Sequence, residues 1–94
     1  MRAAFLTKFH QIEVREKEKP RPGPGELLVQ VRSTAICGTD LALWQGKQPD
    51  LKLPIVAGHE AAGVVAEVGR EVRNFRPGDR VVLNPLIYCG RCYY

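Results

Sequence analysis

Ninety-four residues allow one small core, since two would each bury too little apolar surface to hold together. Apolar residues make up 45% of the chain and charged residues 26%, the balance of a folded domain rather than of a disordered segment. The net charge of +4 is scattered among acids, as in Glu16-Lys17-Glu18-Lys19, without the clustered footprint that binding to nucleic acid requires.

Met1 to Lys8 carries a short apolar stretch and Ile12 to Glu16 alternates apolar with polar, which predicts two strands joined by a turn near Phe9 and His10. Arg2, Thr7 and Lys8 interrupt the first stretch as a secretory signal would not allow, and no later apolar run is long enough to span a bilayer. A cytoplasmic protein without a membrane partner is therefore expected. Residues 19–26 hold three prolines and two glycines and read as a surface connection. Leu27 to Ile36 follows as a longer strand, with Leu27, Val29 and Val31 on one face and Leu28, Gln30 and Arg32 on the other. Thr39 and Asp40 offer side-chain oxygens to cap one or two helical turns over Leu41 to Trp44, ended by Gly46. After a loop over 48–54, Ala61 to Val68 reads as a strand with its turn at Gly69. Arg76-Pro77-Gly78-Asp79 then forms a turn feeding a strand over Arg80 to Leu83. Short strands between Gly and Pro turns, with little helix, predict a small irregular barrel.

Three cysteines are an odd number for a disulfide framework, which turns attention to metal or nucleophile chemistry. Cys37 stands where a strand gives way to a turn, a rim position from which a thiolate can reach a metal; taken alone, it reads first as a small core residue. Gly58-His59-Glu60 adds an imidazole and a hard oxygen, and a Cys, His and carboxylate set suits a catalytic zinc with one position open. Spacing by itself does not show that Cys37 and His59 meet. Cys89-Gly90-Arg91-Cys92 is a C-x-x-C pair able to share one metal or to form a redox disulfide. Trp44 is core packing or a pocket wall, and His10 reads as a solvated turn residue. No dinucleotide fingerprint is present: Gly23 and Gly25 lie in the proline-rich turn, and Leu28 stands where a third glycine belongs.

The run Gly58-His59-Glu60-Ala61-Ala62-Gly63, continued by Gly69 and Val72, resembles the zinc-dependent medium-chain alcohol dehydrogenase signature G-H-E-x-x-G-x5-G-x-x-V. Cys37-Gly38-Thr39-Asp40 is similar to that family's C-G-T-D turn, and Gly78-Asp79-Arg80-Val81 to its G-D-R-V turn. The resemblance implies a mainly β, GroES-like antiparallel barrel with one short helix. It further implies that residues 1–94 are the N-terminal part of a catalytic domain whose barrel is finished, and whose Rossmann domain is supplied, by later chain.

Carried over residue by residue, it implies that Cys37 and His59 bind catalytic zinc, that Asp40 orients His59, and that Thr39 is the hydroxyl that takes the substrate alcohol proton into a relay. Glu60 either binds the zinc, as in polyol and threonine dehydrogenases, or stands behind it. Cys89 and Cys92 begin a four-cysteine structural zinc lobe and supply half of its ligands. The implied whole enzyme oxidises a small-molecule alcohol or polyol, with zinc polarising the alcohol and NAD or NADP accepting hydride. A homo-oligomer is expected, and the 94-residue chain alone is expected to be inactive. Two other readings are a stand-alone GroES-like assembly module without metal and a zinc-free quinone or enoyl reductase; neither needs Cys37 and His59 together.

Overall fold

The computed structural model describes residues 1–87 and 89–92. Its elements are β1 (Arg2–Lys8), β2 (Gln11–Glu16), β3 (Leu27–Ala35), α1 (Gly38–Trp44), β4 (Glu60–Val68) and β5 (Arg80–Val82). β1 and β2 form the expected hairpin, running from Arg2↔Glu16 to Lys8↔Gln11 with a slip between Leu6 and Lys8. β3, β4 and β5 form a second antiparallel sheet in that order. The segment between α1 and β4 is tied to β1 where Leu6 and Ile55 exchange backbone hydrogen bonds of 2.8 and 3.1 Å. Among the described residues this is a mainly β, open arrangement with one short helix, and no helix is long and apolar enough to cross a membrane.

The β3–β4 ladder is interrupted once on each strand, on β4 at Ala66 and on β3 at Arg32. Val29 pairs with Val65 directly after Leu28↔Glu67, which leaves Ala66 over, and Ser33 pairs with Ala62 after Val31↔Gly63, which leaves Arg32 over. Such bulges interrupt the period of two and bend the strand, a tertiary feature that the apolar pattern cannot announce. The helix starts earlier than expected, with Cys37 as its N-cap at φ −91° and ψ 160°, so Thr39 and Asp40 lie in its first turn rather than at the cap.

Burial is thin. Among the described residues Leu6 and Val65, at 4% and 2% exposure, are the buried apolar side chains, while Ile36, Val82, Leu86 and Ile87 stand largely in solvent. The radius of gyration is 15.4 Å, against about 12 Å for a compact chain of this length. Backbone contacts therefore carry much of the order. Val65 donates to the Asp79 carbonyl and accepts from Gly78, both at 2.8 Å, which fixes the 76–79 turn against the middle of β4. The proline-rich connection is tied to the end of β4 by Gly69 N–H to the Glu26 carbonyl and Glu71 N–H to the Pro24 carbonyl, each 2.8 Å.

Two glycines permit these approaches. A Cβ on Gly63 would collide with the Gln30 carbonyl on β3, and one on Gly69 with the carbonyls of Gly23 and Pro24. The obstructing atoms are backbone and cannot rotate away. Gly63→Ala is expected to destabilise the chain by about 2 kcal/mol and to lower the melting temperature by roughly 10 °C, read by circular dichroism. Gly25→Ala, where an added Cβ meets nothing, serves as the control that leaves the melt in place.

Candidate metal centre

The β3–β4 register brings the chemistry together. Ala35 pairs with Glu60 at the end of the sheet, so Cys37, two residues beyond Ala35, and His59, one before Glu60, leave the sheet on the same side. The Thr34 hydroxyl donates to the Glu60 carbonyl at 2.9 Å and pins that end. As a result Cys37 Sγ, a ring nitrogen of His59 and a carboxylate oxygen of Glu60 all lie within 4.8 Å of one another. Cys37 and His59 are half-buried and Glu60 is exposed, which leaves one side of the cluster open.

Asp40 organises the remainder. One carboxylate oxygen, Oδ2, accepts the Cys37 N–H at 2.9 Å, closing the first turn of α1 as an acidic N3 side chain does. The other, Oδ1, lies 3.5 Å from His59 Nδ1. With Nδ1 facing Asp40, Nε2 is the nitrogen left to serve as a ligand, the arrangement in which a carboxylate sets the tautomer and basicity of a metal-binding imidazole.

Thr39 is exposed on the same turn. Its hydroxyl, followed by its amide, donates to the Cys37 sulfur and holds that thiol below its ordinary range, with His59 adding to the effect. Contact with Cys37 raises the His59 imidazole above its usual value; burial opposes the rise, and Asp40 and Glu60 reinforce it. The thiolate, the form that binds metal, is therefore easier to reach at Cys37 than at an ordinary cysteine. A soft sulfur, an imidazole and a hard oxygen this close together form a donor set that fits a zinc ion.

Cys89 and Cys92 are exposed and not linked by a disulfide. The Arg91 N–H lies 3.4 Å from Cys89 Sγ, and this donation leads the contacts that lower the Cys89 thiol. Neither residue joins the cluster at Cys37. Trp44 lines an apolar cleft of about 460 Å3 together with Leu6, Ile12, Ile36, Leu41 and the carboxylate-bearing Asp40. That cleft adjoins the cluster through Asp40 and Gly58.

The model of the alcohol dehydrogenase GroES-like domain matches residues 23–94. The chain belongs to that family. L-threonine 3-dehydrogenase of Thermococcus kodakarensis is 42% identical over 97 residues, which cover 99% of this chain and 28% of the relative. Two solved structures are also similar. A NAD-dependent alcohol dehydrogenase superposes with a TM-score of 0.89 at 39% identity over 99% of this chain and 28% of its own. Zinc dependent alcohol dehydrogenase 2 from Streptococcus pneumonia, in its apo form, gives 0.82 at 37% over 100% of this chain and 27% of its own. The chain therefore spans little more than a quarter of the length of these GroES-like relatives.

The sequence reading missed two contributors to the site. Thr34 lies outside every motif, and only strand pairing puts its hydroxyl on Glu60. His10 is exposed, as expected for a turn residue, yet its ring meets Trp44 edge-on at 4.5 Å between centroids; nothing in the local sequence signals a contact across that separation.

Because the contacts around Cys37 favour its ionised form, removing them raises the pH at which it titrates. In metal-free protein carrying Cys89→Ser and Cys92→Ser, the ultraviolet thiolate absorbance of Cys37 is expected to titrate below the ordinary thiol range. Thr39→Ala should move that titration upward further than His59→Ala does, since the Thr39 hydroxyl is the leading cause. An unchanged titration in both variants would contradict the assigned contacts.

Proposed function

We propose that this chain is the metal-ligating segment of a zinc-dependent alcohol dehydrogenase, in which Cys37, His59 and Glu60 bind the catalytic zinc. The observation that carries the reading is the convergence of three chemically matched ligand atoms within 4.8 Å. Membership of the family supports it, as do the names of the relatives. Zinc held there would supply Lewis acidity, lowering the pKa of an alcohol hydroxyl.

The chain's own residues have distinct tasks in this reading. Asp40 fixes the His59 ring and, through the Cys37 amide, the start of α1. Thr39, exposed beside the Cys37 sulfur, accepts the substrate hydroxyl proton at Oγ1 while giving up its own hydroxyl proton to the next acceptor of a relay. The open side of the cluster beside Glu60 admits the small alcohol or polyol. NAD or NADP, held outside this segment in the whole enzyme, would supply the hydride acceptor, so the 94-residue chain alone does not turn over. Cys89 and Cys92 provide two of the four ligands of a separate structural zinc and hold metal weakly on their own. A metal-free assembly module would have no use for a thiolate, an imidazole and a carboxylate drawn together around one point.

Zinc content by elemental analysis after gentle removal of loosely held metal tests the proposal. One tightly held zinc per chain is expected, absent from Cys37→Ala and His59→Ala and kept in Cys89→Ser/Cys92→Ser. Asp40→Asn, which retains the shape but weakens the hold on His59, should bind zinc with about tenfold lower affinity. Zinc retained by both ligand variants, or no zinc in a folded wild-type chain, would overturn the assignment.

A further inference from the structure

The hairpin turn between β1 and β2 grips the C-terminal end of α1. That end is a complete Schellman arrangement. Lys47 N–H reaches the Ala42 carbonyl at 3.0 Å, Gly46 N–H reaches Leu43 at 3.1 Å, and Gly46 takes the left-handed φ of 83° that the motif needs. The Trp44 carbonyl receives its donor from outside the helix, from the His10 N–H at 2.9 Å. Phe9 packs beneath the same end, so closely that a Cβ on Gly46 would lie 3.1 Å from its ring. The His10 ring stands edge-on to the indole, at 4.5 Å and 73°.

His10 makes these contacts from a backbone conformation that does not suit it. Its φ is 66°, in the left-handed region where glycine or asparagine sits at lower cost. A residue needed only to turn the chain would favour glycine, which supplies the same N–H. The imidazole is what glycine lacks, and its partner is Trp44.

At the opposite end of α1, Asp40 binds the Cys37 amide and faces His59. None of the helix's seven residues is buried, and a helix this short has little stability of its own. Contacts at its two ends therefore determine where it lies. We infer that His10 is a positioning residue for the candidate metal centre: through Trp44 it fixes the helix whose first turn carries Thr39 and Asp40. The inference rests on the metal-site reading above.

The test is a cobalt(II) titration of the 94-residue chain in a Cys89→Ser/Cys92→Ser background that serves as wild type, followed by thiolate-to-cobalt absorption, alongside fluorescence of Trp44, the single tryptophan. His10→Gly keeps the amide, suits the backbone and removes only the ring; His10→Phe restores an aromatic edge. His10→Gly is expected to weaken cobalt binding by roughly threefold, within the scale of one aromatic edge contact, and to shift Trp44 emission to the red. His10→Phe is expected to return both toward wild type. Cobalt affinity unchanged in His10→Gly, with or without an emission shift, overturns the positioning role while leaving the metal site standing, and so does a His10→Phe variant that behaves like His10→Gly. A wild-type chain that takes up no cobalt, or takes it up equally with Cys37→Ala, overturns the metal-site reading and the positioning role with it.

Discussion

Antiparallel pairing of β3 with β4 decides where the chemistry sits, because the two strands end together and each hands its next polar residues to the same edge. Ala35 opposite Glu60 is the last pair of that ladder, and Cys37 and His59 follow from it geometrically. The pairing in turn depends on Gly63, whose missing side chain lets the two backbones approach at Gln30. Slippage by one residue would turn Glu60 to the opposite face and separate it from the cysteine. The bulges on either side of this region lock the register against such slippage, so a departure from regular strand geometry secures the site.

The second constraint is Asp40, which couples secondary structure to chemistry. Its carboxylate completes the first turn of a helix that has no buried face, and also fixes which nitrogen of His59 faces the sulfur. One side chain in two tasks means that a defect in the helix start becomes a defect in the imidazole. Thr39 belongs to the same turn, so the hydroxyl proposed to move the proton and the carboxylate that orients His59 are positioned by one backbone segment. Order at α1 thus bears on the proposed site as well as on the fold.

Much of this was legible in the sequence, for identifiable reasons. The strands came from alternation bounded by Gly and Pro, and the observed strands follow those expectations to within a residue at each end, whereas α1 begins three residues earlier than expected. Cys37, Thr39, Asp40, His59 and Glu60 stood out because their types suit a metal site and because they fall within motifs of a known family. Their meeting did not follow from spacing, since it is created by strand register. The interruptions of β3 escaped the reading because a bulge leaves no mark on apolar periodicity. The contacts of Thr34 with Glu60 and of His10 with Trp44 escaped because both residues look ordinary in their own neighbourhoods. What joins them to the site is the path of the chain between them.

The weak burial of the sheets bears on how such a site is held. With Leu6 and Val65 as the buried apolar side chains, the proposed ligands do not inherit rigidity from a large core. They are fixed by hydrogen-bonded backbone: the Ala35–Glu60 pair, the Asp40 cap, the Thr34 link and the His10 amide on Trp44. Such bonds are directional, and they place atoms more sharply than apolar contact does. Substrate choice is less local. A threonine dehydrogenase and two alcohol dehydrogenases match nearly the whole chain at comparable identity, so likeness in this segment accompanies different substrates. The apolar cleft beside Trp44 is open, and exposed Ile36 extends its wall to the surface. On the proposed reading the segment would hold the metal and one link of the proton path, and an open cleft leaves any selection of substrate to walls beyond those that α1 and the hairpin supply.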